Sequence, residues 1–229
     1  MCNIQSWMEQ LAEELKNEFG SRLWFLGLQG SFGRGEGTAE SDIDAVVILD
    51  RVDPEDLQRY SGLLDRLPYR EKTCGFVCGR TELQNWDPSD LFSLCMDTVP
   101  LIGSLEELRS RISSSDIQRA VWTGVCTLYH LCAHNLIHER NGDILRGLYK
   151  SAAFTLRAIA YLQTGRYESR MEPLAALLQP EERRILTFSQ ELRGGKGELP
   201  APDFRRYSDV LLSWAAGWIA RRGGGEGSQ

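Results

Sequence analysis

Gly30-Ser31 is followed eleven residues on by Asp42-Ile43-Asp44, and the stretch from Leu28 to Leu49 carries four glycines between them, at 30, 33, 35 and 37. Glycine permits positive φ and close approach of the backbone to a ligand, so N–H groups freed from a strand ladder there can point at anionic oxygens together with the Ser31 hydroxyl. Arg34 and Ser41 lie in the same stretch and join Gly30 and Ser31 as candidate phosphate-binding groups. Asp42 and Asp44 stand two positions apart, and side chains alternate across a strand, so both carboxylates project from one face. Adjacent carboxylates repel unless a cation sits between them. Oxygen-only donors suit a hard ion such as magnesium or manganese, whose remaining positions are filled by water and phosphate. The segment therefore reads as a site for a nucleoside triphosphate and a divalent metal.

The elements that must position these groups follow from the flanking pattern. Leu23–Leu28 and Asp44–Leu49 are short apolar runs bounded by glycines and charges, as buried strands are. A helical stripe over residues 6–19 precedes the first of them. After Leu49, Asp53 caps and Pro54 opens a helix reaching Leu67, a third strand covers Thr73–Gly79, and a short helix covers Asp87–Asp97. Val99-Pro-Leu-Ile-Gly then leads away without a regular pattern, closing an N-terminal domain over residues 1–110. From Ser115 onward strand signals vanish, and helical patterns run over 116–139, 144–163, 180–192 and 202–221. Asn141-Gly142, Thr164-Gly165 and the glycines at 194, 195 and 197 mark the connections. The expected fold class is α+β: a small mixed sheet flanked by helices over 1–110, an all-helical bundle over 111–222 and a flexible tail over 223–229.

Composition narrows the functions available. In 229 residues, 42% hydrophobic and 25% charged, no apolar run approaches the ~20 residues that span a bilayer. The first residues lack the basic and apolar regions of a signal peptide, so a cytoplasmic protein without a membrane partner is expected. The net charge of −6 argues against duplex nucleic acid as a partner, since binding by counterion release needs a basic surface, and it suits a cationic small substrate instead. The six cysteines, at 2, 74, 78, 95, 126 and 132, form no Cys-x-x-Cys pair and are expected as buried, reduced thiols.

The Gly-Ser…Asp-x-Asp arrangement between two apolar strands resembles the signature of the polymerase-beta-like nucleotidyltransferases. That resemblance implies that Gly30 and Ser31 hold the triphosphate of ATP or another nucleotide and that Asp42 and Asp44 bind magnesium or manganese. A nucleotidyltransferase domain followed by a helical bundle is similar to the aminoglycoside nucleotidyltransferase group, which attaches a nucleoside monophosphate to an antibiotic hydroxyl. Within the bundle, Thr155–Arg170 resembles the segment of that group ending in a basic residue that reaches the nucleotide phosphates; Arg170 takes that role here, with Lys150 and Arg166 in reserve. The family also implies a third carboxylate on the next strand, as metal ligand or general base. The strand Thr73–Gly79 has none, and alignment on Trp86 puts Cys74 at that position. Glu71, just upstream, is the candidate catalytic acid; Glu82 and Asp97 lie further on.

All three histidines, His130, His134 and His138, follow one another at i, i+4 on one helix, one step beyond Cys126. Adjacent histidines at this spacing can chelate zinc or nickel, but His130 and His138 are about 12 Å apart at ~1.5 Å per residue, so the three cannot share one ion. The simpler reading is a polar helix face.

Three functions fit these residues: transfer of a nucleoside monophosphate to a hydroxyl of a small molecule, for which the resemblance implies an aminoglycoside-like one; the same transfer to a protein; and nucleotide sensing without turnover, which the missing acid motivates. The acceptor, the base preference and the oligomeric state, monomer or homodimer, are not legible in the sequence.

Overall fold

The computed structural model describes residues 3–223, and the chain divides into two compact units that meet between Ile112 and Ser113. Residues 224–229, most of the expected tail, and Cys2 lie outside the described residues.

The first unit opens with α1 (Ile4–Phe19), capped by the Asn3 side chain, which accepts from the Ser6 N–H at 3.2 Å. Trp7, Leu11, Leu15 and Phe19 give α1 a buried stripe. Then come β1 (Leu23–Gln29), the four-residue α2 (Gly30–Gly33), β2 (Ile43–Leu49), α3 (Pro54–Leu64), β3 (Thr73–Gly79), α4 (Arg80–Gln84), α5 (Pro88–Asp97), β4 (Val99–Ile102) and α6 (Glu106–Arg109). The sheet order is β3-β2-β1-β4, with β1 antiparallel to β2 and β4, and β2 parallel to β3. The mixed sheet matches the expected class. One strand was not expected: β4 is four residues long and contains Pro100, which has no N–H for a ladder, and it is tolerated because β4 is an edge.

β2 is apolar on both faces because both are covered. Ala45, Val47 and Leu49 pack with Leu26 and the α1 stripe, whereas Val46 and Ile48 pack with Phe25, Leu91 and Leu108 on the other side. The expectation of buried thiols holds for Cys78, Cys95 and Cys132, where burial pushes the thiols up to about 12, 11 and 11. It fails for Cys74, which is exposed because β3 is the other edge of the sheet.

The second unit is helical throughout: α7 (Ser114–His134), a π-helical turn (Asn135–Glu139), α8 (Gly142–Thr164), α9 (Met171–Leu177), α10 (Pro180–Glu191) and α11 (Ala201–Gly223). Ser113 and Asp116 close a capping box at the start of α7. Asn141 caps α8, and Gly165 ends it with φ 70°, the left-handed value that a C-terminal glycine supplies. The core is built from Val121, Val125 and Leu128 of α7, Tyr149, Leu156 and Ile159 of α8, Ile185 of α10 and Leu211 of α11. The Tyr149 hydroxyl donates to the Tyr207 carbonyl at 2.8 Å, which satisfies the one polar atom of that ring.

Candidate active site

β1 delivers the chain to Gly30, and β2 begins the return just after Asp42, so the glycine-rich segment spans neighbouring ends of two antiparallel strands. In the ladder Gln29 pairs with Asp44, and Asp44 pairs with Cys74. Paired residues present their side chains to the same face. Asp44 therefore stands between Gln29 and Cys74, half-buried, on the face that carries Val46 and Ile48 deeper in the sheet. Asp42 is exposed one residue before the strand, and no ion pair engages it among the described residues.

Gly30 has φ 67°, and a Cβ placed on it would overlap the Asp44 carboxylate. The backbone here is thus in contact with the acid expected to hold the metal, a closeness only glycine permits. The other loop glycines differ in kind. Gly35 has φ 73°, but Gly33 and Gly37 do not enter the positive region. A Cβ at Gly33 would sit 2.7 Å from the Leu28 carbonyl oxygen, and one at Gly37 would enter the Phe32 ring, so these two serve space rather than conformation. α2 begins at Gly30 itself, and the first N–H groups of a helix have no partner within it. Ser31 is in that first turn, half-buried, and its carbonyl accepts from the Glu36 N–H at 2.8 Å.

Arg34 and Ser41 brace this loop. Nη1 of Arg34 lies 3.4 Å from Oδ2 of Asp97 and its Nε 3.5 Å from Oε2 of Glu36, with the Arg34 side chain 10% exposed. Asp97 is buried at the end of α5, so the pair ties the loop to that helix. The sequence did not reveal it, because the partners are 63 residues apart. Ser41 Oγ accepts from the Thr38 N–H at 3.0 Å and closes the turn leading into Asp42. Lys72 donates from Nζ to the Ala39 carbonyl, tying the same turn to the residue before β3.

Glu71 is exposed in a 3-10 turn, Arg70–Lys72, two residues before the Ile43–Thr73 pair that opens the β2–β3 ladder. The residue in register with Asp44 is Cys74. In the second unit Lys150 is exposed on α8, Arg170 is exposed as the residue before α9, and Arg166 pairs with Glu168 at 3.3 Å. Sequence reasoning missed Arg157 of α8. It is buried, and its Nε and Nη2 donate to the Ser169 carbonyl at 3.1 and 2.9 Å, anchoring the backbone immediately before Arg170.

Among the described residues, no group of three or more His, Cys, Asp or Glu side chains is arranged to hold a metal ion. Asp44 is the carboxylate beside the Gly30 backbone, and oxygen donors of that kind suit a hard divalent cation whose other ligands come from water and phosphate oxygens. No helix of the described residues is long and apolar enough to cross a membrane.

Residues 8–112 match the family model described as nucleotidyltransferase domain. No curated protein matches the chain in sequence. Among solved structures, the crystal structure of spectinomycin adenyltransferase AAD(9) from Enterococcus faecialis with ATP and spectinomycin is similar, with a TM-score of 0.59 and 16% identity, over 93% of this chain and 100% of that one.

Proposed function

We propose, from the match of residues 8–112 to the nucleotidyltransferase domain model and the Gly-Ser…Asp-x-Asp signature of the polymerase-beta-like superfamily, that the protein moves a nucleoside monophosphate from ATP to a hydroxyl of a small molecule. The observation that carries the proposal is the contact between Gly30 and Asp44, which joins the phosphate-cradling backbone to the metal-binding acid. Asp42 and Asp44 would hold magnesium or manganese, which when bound neutralises charge building on the phosphates. Gly30 and Ser31 hold the triphosphate in line with the acceptor hydroxyl, whose oxygen attacks the α-phosphorus as pyrophosphate leaves. Arg34 and Ser41 keep the loop in shape beneath the phosphates. Glu71, the acid preceding β3, is the residue we assign to the acceptor's proton, and Arg170 and Lys150 are assigned to the phosphates on the resemblance of their segment.

An aminoglycoside-like acceptor is supported by the net charge of −6, which suits a polycation, and by the likeness in fold to a protein solved with ATP and spectinomycin. Pyrophosphate release from ATP and magnesium, assayed across aminoglycosides and lincosamides, is expected to rise with at least one of them. Failure of calorimetry to detect any nucleotide uptake with magnesium or manganese overturns the proposal.

Cys74 favours a second reading. With a thiol rather than a carboxylate in register with Asp44, the domain would bind nucleotide and metal without turning them over. In that case ATP binding survives while no acceptor, small molecule or protein, yields pyrophosphate.

A further inference from the structure

The second unit carries a cluster that the proposed transfer reaction does not use. α7 buries Ile117, Val121, Val125, Leu128 and Cys132, and His130, His134 and His138 all stand exposed on the remainder of the helix and its continuation. The three are not equally spaced. The ring centroids of His130 and His134, both within regular α-helix, are 6.4 Å apart, but those of His134 and His138 are only 4.7 Å apart. The closer pair straddles the change from α7 to the π-helical turn that ends the helix.

The turn is held firmly. The Arg140 N–H donates to the Asn135 carbonyl at 2.6 Å, and Arg140 takes φ 50° to end it. The Asn135 side chain, 1% exposed, donates to the Asn141 carbonyl and accepts from the Asn141 N–H, each at 3.0 Å. A carboxylate completes the arrangement: Oε1 of Glu139 lies 3.5 Å from Nε2 of His134. Histidines that bind metals commonly give their second ring N–H to such a carboxylate, which fixes the tautomer and raises the basicity of the coordinating nitrogen.

We propose that His134 and His138 form a chelating site for a transition-metal dication of the zinc or nickel class, with Glu139 orienting His134 and with water in the open positions. Imidazole nitrogen is a borderline-soft donor that suits zinc and nickel, whereas oxygen donors suit magnesium, so this site and the aspartate pair select different ions. His130 is too far from His138 to join it, and among the described residues no third side chain of His, Cys, Asp or Glu completes the shell.

Calorimetric titration of the full chain with zinc chloride and with nickel chloride tests this. The expected result is saturable uptake of one ion, weakened roughly ten-fold or more in His134→Gln and in His138→Gln and weakened less in Glu139→Gln. His130→Gln and an Asp42→Asn, Asp44→Asn double variant should titrate like the unaltered chain. All of these side chains are exposed or half-buried polar groups, and circular dichroism of each variant checks that the helices remain. Absence of saturable uptake, uptake that survives both His134→Gln and His138→Gln, or uptake lost in the double aspartate variant overturns the proposal. The last result would put the ion on the strand acids, leaving the nucleotidyltransferase reading intact.

Discussion

At the scale of single residues, the proposed chemistry rests on the place where Gly30 meets Asp44. Gly30→Ala would impose a side chain at φ 67° and drive it into the Asp44 carboxylate. The expected outcome is a loss of about a hundred-fold in kcat/KM for ATP, the scale of a misplacement near 1 Å, with the helical circular dichroism retained. Asp44→Asn is expected to abolish metal-supported nucleotide uptake in calorimetry, whereas Glu71→Gln, if Glu71 takes the acceptor's proton, should lower kcat and leave nucleotide affinity nearly unchanged. The aspartates and the glycine loop were legible in the sequence because residue type and spacing alone bring them together. Cys74 was legible as the place where an acid is missing, and the β2–β3 register puts that residue in line with Asp44.

At the scale of elements, two ion pairs determine how well the loop and the strands are held. Arg34→Met would leave Asp97, buried at the end of α5, without the guanidinium that faces it. Loss of this buried ion pair is expected to lower stability, read as a lower denaturant midpoint. The second pair lies at the start of β1. Arg22 donates from Nη1 and Nη2 to the two oxygens of buried Asp56 at 2.8 and 2.7 Å, and these hydrogen bonds hold that carboxyl down at about 2, against an ordinary 3.8. Because the folded value is the lower one, the contribution of Asp56 is fully present above pH ~4 and is lost as pH falls toward ~2. Denaturation midpoints should therefore drop across that window, and Arg22→Met should flatten the drop. Helix starts at Pro54 and Pro88 were readable from an aspartate followed by proline. β4 and the pairing of Arg34 with Asp97 were not, since each depends on partners far along the chain.

At the scale of the whole chain, the two units have separate cores: one around the sheet and α1, the other among α7, α8, α10 and α11. A fragment of residues 113–223 is expected to fold alone, with helical circular dichroism and a cooperative thermal transition; a non-cooperative melt would refute the independence of its core.

Composition, hydrophobic periodicity and the glycine–aspartate spacing determined by themselves a mixed sheet followed by helices, and a motif suited to nucleotide and metal. These are local properties, written in residue type and short-range repetition. Tertiary structure alone decided which residue stands beside Asp44, that Asp97 and Arg157 are buried anchors, and that His134 and His138 approach more closely than His130 and His134. Strand register and burial are set by contacts between distant segments, which no short stretch of sequence contains, and the change from α- to π-helical winding is held by the bonds of Asn135 to Arg140 and Asn141, which hydrophobic periodicity does not register.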